Sequence, residues 1–102
     1  MELRLLKKMV RFSPEGHTKN IFFESAKIKA QVMGIEAGQQ IPPCRMDHDV
    51  IFVVTEGKGK IAVDGQEEAI EESSFIFVPK EKETRSLQAE TRMIVLAIQV
   101  KP

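Results

Sequence analysis

Two side chains stand out as able to bind a metal or attack a substrate, Cys44 and His48, in the run Cys44-Arg45-Met46-Asp47-His48-Asp49. A thiolate, an imidazole and a flanking carboxylate from Asp47 or Asp49 would suit a divalent transition metal. Spacing limits that chemistry. Residues four apart on an extended strand lie ~13 Å from each other, whereas zinc–ligand bonds span only ~2.0–2.3 Å. Cys44 and His48 can share an ion only if the chain reverses between them. A lone thiol also has a plain use as a small apolar wall residue. It becomes reactive only beside a positive group, and Arg45, next in sequence, points to the opposite face of a strand. His48 between two acids reads first as a solvated turn histidine, and His17, near Gly16, as surface.

The elements that must position these groups are short. Ile21-Phe22-Phe23, Val32 to Ile35, Ile51 to Val54, Ile61 to Val63, Phe75 to Val78 and Met93 to Val100 are rich in β-branched and aromatic residues. Ser13-Pro14-Glu15-Gly16, Gly38, Pro42-Pro43, Gly57, Asp64-Gly65 and Pro79 punctuate them. Such a pattern predicts an all-β sandwich or barrel. Asp64-Gly65 tolerates the positive φ that a tight hairpin needs and should join strands at about 58–63 and 67–71. Near the start, Leu3, Leu6, Met9 and Val10 fit a helical stripe, but Val10 and Phe12 alternate as a strand would, and a strand from about residue 8 is the expectation.

Val50 to Val54, Phe75 to Val78 and Ile94 to Ile98 are apolar on both parities. If Val50, Phe52 and Val54 face a barrel interior, Ile51 and Val53 point outward and still need cover. A homodimer interface is the expected cover, with the N-terminal segment folding back as the alternative.

Composition narrows the partners. Fifteen Lys plus Arg balance fifteen Asp plus Glu over 102 residues, so the chain has no net charge with which to hold a nucleic acid or an anionic membrane. A single cysteine precludes an intrachain disulfide and an all-cysteine zinc site. With no signal-like opening and no apolar run approaching ~20 residues, the expectation is a cytoplasmic protein. The absence of Trp and Tyr disfavours a sugar site. The acidic pairs Glu67-Glu68 and Glu71-Glu72 read as a solvated strand face that protects an edge.

The glycines and proline also carry a resemblance. Gly38 to Gly57 has the spacing of the first motif of small single-domain cupins: glycine, five residues, histidine, any, histidine, three residues, glutamate, six residues, glycine. Anchored on Pro79, the second motif places Ser73 at its first glycine, Glu81 at its second, Thr84 at its histidine and Gln88 at its asparagine. The resemblance covers about residues 34–100 and implies a cupin-type jelly-roll barrel, or double-stranded β-helix. Residues 1–33 would then add N-terminal strands that complete the barrel and contribute to the dimer contact.

In that family three histidines and a glutamate hold iron or manganese; the matching positions here are Cys44, Met46, Val50 and Thr84. Valine cannot ligate, and thioether and neutral hydroxyl are poor ligands for those metals. The resemblance therefore implies a barrel without the usual metal. It also places Cys44, Met46, Val50, Phe52, Phe77 and Thr84 around the interior, as an open pocket or a filled core, with Thr84 and Arg85 available to a polar ligand group. The expected function is metal-free, non-catalytic binding of a small apolar or amphipathic molecule. The alternative is a metal-dependent enzyme, similar to the dioxygenases and isomerases of the family. Its rearranged centre would use Cys44 and His48, brought together by the turn the family makes after its paired histidines.

Overall fold

A computed structural model describes residues 1–102. One helical turn, α1 (Leu6–Met9), precedes nine strands: β1 (Thr18–Glu24), β2 (Ile28–Ile35), β3 (Gln40–Cys44), β4 (Asp49–Glu56), β5 (Gly59–Val63), β6 (Gln66–Ile70), β7 (Phe75–Val78), β8 (Arg85–Ala89) and β9 (Met93–Val100). They form two antiparallel sheets, one ordered β1-β2-β9-β4-β7 and the other β3-β8-β5-β6. The fold is all-β, as the short β-branched runs predict.

Side-chain alternation decides what each sheet turns inward. In β4 the buried residues are Val50, Phe52 and Val54. Register carries that parity to Val78 and Ile76 on β7 and to Ala97 and Val95 on β9. Leu87 and Ala89 of β8 and Ile61 of β5 close the core from the opposite sheet. At the closed end Ile35, Val54, Met93 and Val95 are fully buried. At an upper rate of ~25–30 cal/mol per Å² of apolar area, burying side chains of this size stabilises the fold by ~1.5–3 kcal/mol each.

The turns bear out the glycine reading. Asp64 and Gly65 both have positive φ (49° and 84°), as a type I′ hairpin turn requires. Gly38 and Gly57 each sit at φ 85°. A Cβ on Gly57 would also lie 2.0 Å from the Arg92 carbonyl oxygen. Ser73, which stands where the resemblance calls for glycine, adopts a left-handed φ of 75°.

The N-terminal segment departs from the strand expected from residue 8. Residues 6–9 form one helical turn, and Val10 packs with Val32 and Ile94 on the outer face of the larger sheet. A backbone path set by tethers takes precedence over the local alternation: Asn20 Nδ2 donates to the Met9 carbonyl (2.8 Å), Gln39 Nε2 donates to the Ser13 carbonyl (2.7 Å), and the Thr18 hydroxyl donates to the Arg11 carbonyl. Arg92 lies 4.0 Å over the Phe12 ring while forming a two-pronged ion pair with Glu36 (2.7 and 2.9 Å). The segment thus covers part of the outer face. Phe75 and Phe77 remain more than half exposed.

Candidate functional site

Between the sheets, at the end opposite Met93, lies a cavity of about 60 Å³. That is space for roughly four waters at ~15 Å³ each, so the barrel interior is partly open. Its inner wall is apolar: Met33, Ile41, Val50, Phe52, Ile61 and Leu87. Gln31, Ser86 and Gln99 add polar groups, Lys19 and Cys44 are exposed at the mouth, and Arg85 enters from β8. Gln99 Nε2 approaches the Met46 sulfur at 3.9 Å across the rim.

Cys44 reaches this cavity by way of an irregularity in β3. Ile41 pairs with Leu87 and Cys44 with Arg85, three residues on β3 against two on β8. The extra residue is a bulge, and it restores Cys44 to the inward face of Ile41, where strict alternation would have turned it out. Pro42 and Pro43 form the bulge without cost to a ladder, since β3 is an edge strand and a proline nitrogen has no proton to donate.

Four of the six residues expected around the interior are brought together here: Cys44, Met46, Val50 and Phe52. Thr84 and Phe77 are not. β8 buries Arg85, Leu87 and Ala89, because Leu87 and Ala89 belong to the core. Parity therefore puts Arg85 inside, and Thr84 precedes the strand, exposed, with its backbone N–H on Asp64 Oδ1 (2.8 Å). Phe77 pairs with outward-facing Ile51, and β7 instead turns Ile76 and Val78 inward. Phe77 lines a separate open groove between the edge strands β6 and β7, with Val63 and Pro79.

Arg85, expected beside Thr84 as a contact for a polar ligand group, is the residue that β8 turns inward in its place. It is 97% buried, at 3% exposure, and neither Nε, Nη1 nor Nη2 reaches a protein acceptor. A guanidinium carries five N–H donors and stays protonated in proteins, so this is a full charge facing an apolar chamber. Desolvation pulls its pKa below the usual arginine range, partly opposed by Cys44 and Asp49. Asp49 makes no bond to it; its Oδ1 accepts the backbone N–H of Lys80 (2.8 Å). The signal in the sequence was the parity of Leu87 and Ala89, which assigns position 85 to their face.

The family's metal does not fit these residues. Cys44 supplies a thiol, Met46 a thioether and Val50 a hydrocarbon, Thr84 is elsewhere, and a guanidinium opposes any cation in the chamber. The rearranged centre lacks support as well. His48 is absent from the cavity wall, and no three His, Cys, Asp or Glu side chains are grouped to hold an ion.

Comparison with known proteins adds to this geometry. No family model matches the chain. An uncharacterized protein of Aquifex aeolicus is 32% identical over 41 residues, 40% of this chain and about a third of that protein's length. Solved structures match far more of it. A crystal structure of an RmlC-like cupin from Desulfovibrio desulfuricans superposes with a TM-score of 0.89 at 23% identity, covering 98% of this chain and 96% of that one. A protein with a double-stranded β-helix domain from Klebsiella pneumoniae gives 0.90 at 12% identity, covering 98% and 90%. A variant of salicylate 1,2-dioxygenase from Pseudoaminobacter salicylatoxidans gives 0.78 at 20% identity, and there the match spans 84% of this chain but only 26% of the enzyme. No helix is long and apolar enough to cross a membrane. Sheet order, the inward parity of β4, β8 and β9 and these superpositions agree that the chain has the cupin fold, a double-stranded β-helix.

Proposed function

We propose that this cupin-fold chain binds a small amphipathic molecule in the barrel, without a metal and without catalysing a reaction. The observation that carries the proposal is the lining of the chamber. Apolar walls from Met33, Val50, Phe52 and Leu87 meet a few polar groups at one end. That is the composition of a ligand pocket, and it offers no imidazole or carboxylate as a metal ligand or as an obvious general base.

Methyl NMR tests it directly, because Met33 and Met46 line the chamber while Met9 packs on the outer face. Titration with alcohols, amides and carboxylates of short chain length should shift the Met33 and Met46 methyls saturably and leave Met9 in place. Elemental analysis of protein purified without chelators should find no stoichiometric transition metal. A full equivalent of metal, or a panel that moves neither cavity methyl, overturns the proposal.

A further inference from the structure

We infer that the ligand of this chamber is a monoanion, a short-chain carboxylate whose head group is held by Arg85. The inference rests on the binding reading above and specifies the chemistry of the molecule bound. The cation is built into the wall. Arg85 is 97% buried at the cavity end of β8, with all three guanidinium nitrogens unpartnered. Native proteins pair their buried polar groups, and a buried charge above all. Neither neighbouring group of the fold pairs with Arg85. Cys44 lies opposite Arg85 in the β3–β8 register, yet its sulfur makes no hydrogen bond to the guanidinium. Asp49 attracts the guanidinium, but neither carboxylate oxygen bonds to it, and Oδ1 accepts Lys80 N–H. No carboxylate lines the chamber, and the other ionic side chain on its wall, Lys19, is also basic. The site is positive in an apolar setting.

Geometry and size select among anions. A guanidinium presents parallel N–H bonds that match the two oxygens of a carboxylate. The other cation, Lys19, is exposed at the mouth, and the remaining polar groups, Gln31, Ser86 and Gln99, are neutral. One buried charge therefore matches a monoanion better than a multiply charged phosphate, and Met33, Ile41, Ile61 and Leu87 favour an alkyl body behind the head group. About 60 Å³ admits a carboxylate with roughly one to three carbons; a longer body would leave through the mouth between Cys44 and Met46.

The test compares butyrate with butyramide, nearly identical in shape but differing in charge, by titrating the Met33 and Met46 methyls in chloride-free buffer. Wild type should bind butyrate at least about tenfold more tightly than butyramide, in keeping with a charge-assisted over a neutral hydrogen bond. Arg85→Met should abolish that preference while still admitting butyramide. Should that variant fail to fold, Arg85→Gln, which keeps polarity without charge, serves the same comparison. Equal binding of the two probes by wild type, or a preference that survives removal of the charge, overturns the inference and leaves the binding reading intact. If neither probe moves either methyl, both fall.

Discussion

Replacing Arg85 with methionine should make the unliganded protein more stable. An unmet donor costs ~1–3 kcal/mol when buried. Five of them at that rate would rival the ~5–15 kcal/mol that holds a whole domain. That sum is therefore an upper bound: the three nitrogens are closed to solvent in the folded chain, and relaxation of the surroundings lowers the cost of a buried ion. What persists is the desolvation of a charge at 3% exposure, still on the order of several kcal/mol per ion after such relaxation. Methionine has similar reach and suits walls made of Met33, Ile41 and Leu87. The expected gain is about 2 kcal/mol, a rise in Tm of ~8–16 °C for a domain of this size. Urea unfolding followed by circular dichroism measures it, with the denaturant midpoint rising at unchanged slope. A loss of 1 kcal/mol or more, estimated on the same scale, would show that the folded chain itself satisfies the guanidinium and would refute the reasoning. Stability held back for binding is a common cost of a functional site.

Three more outcomes can be measured. Gly34→Ala places a Cβ 2.1 Å from the Arg11 carbonyl oxygen, so the N-terminal segment must lift off; the burial of Val10 is lost, at ~1.5–3 kcal/mol, and trypsin should cut at Lys7, Lys8 and Arg11 far faster than in wild type, whereas equal protection would contradict the packing described. The hydrogen bonds from Arg92 hold the Glu36 carboxyl below the usual carboxylate range. Its folded-state pKa is thus the lower one, and its contribution is present above the unfolded value and disappears as pH falls through the folded one. Wild type should lose more stability on acidification than Glu36→Gln does, and parallel pH profiles would argue against the pair. Finally, we propose that a second copy of the chain covers Ile51, Val53, Phe75 and Phe77, the part of the outer face the N-terminal segment leaves bare. Sedimentation at micromolar concentration should give twice the monomer mass, reduced to the monomer by Phe75→Asp with Phe77→Asp; a wild-type monomer disproves it.

The fold was legible because punctuation and alternation agree. Asp64-Gly65, Gly38 and Gly57 mark turns that demand positive φ; the inner face of β4 follows from the motif spacing, since Val50 to Val54 is apolar on both parities. The site was legible only in part. Cys44, Met46, Val50 and Phe52 follow from spacing within one ungapped stretch. Thr84 was misplaced because Lys80-Glu81-Lys82-Glu83 is a charged loop with no feature to fix the phase of the next strand, and a motif anchored on Pro79 carried an error of one residue across it. Phe77 was misplaced because Phe75 to Val78 is apolar throughout, so hydropathy cannot distinguish the inner parity from the outer. The helical turn at Leu6–Met9 is held at its end by Asn20, and the chain beyond it at Ser13 by Gln39, contacts across the sequence that no local pattern reveals.

The bulge at Pro42-Pro43 has a wider implication for how this barrel could change. Only one extra backbone unit in a border strand separates a thiol turned to the chamber from one turned to bulk solvent, and its neighbour β8 need not shift in either case. Insertion or deletion at that place would exchange the chemistry of the entrance while sparing Leu87, Ala89 and the rest of the packed interior. Ligand preference in such a chain is free to drift through changes in strand length as much as through substitution.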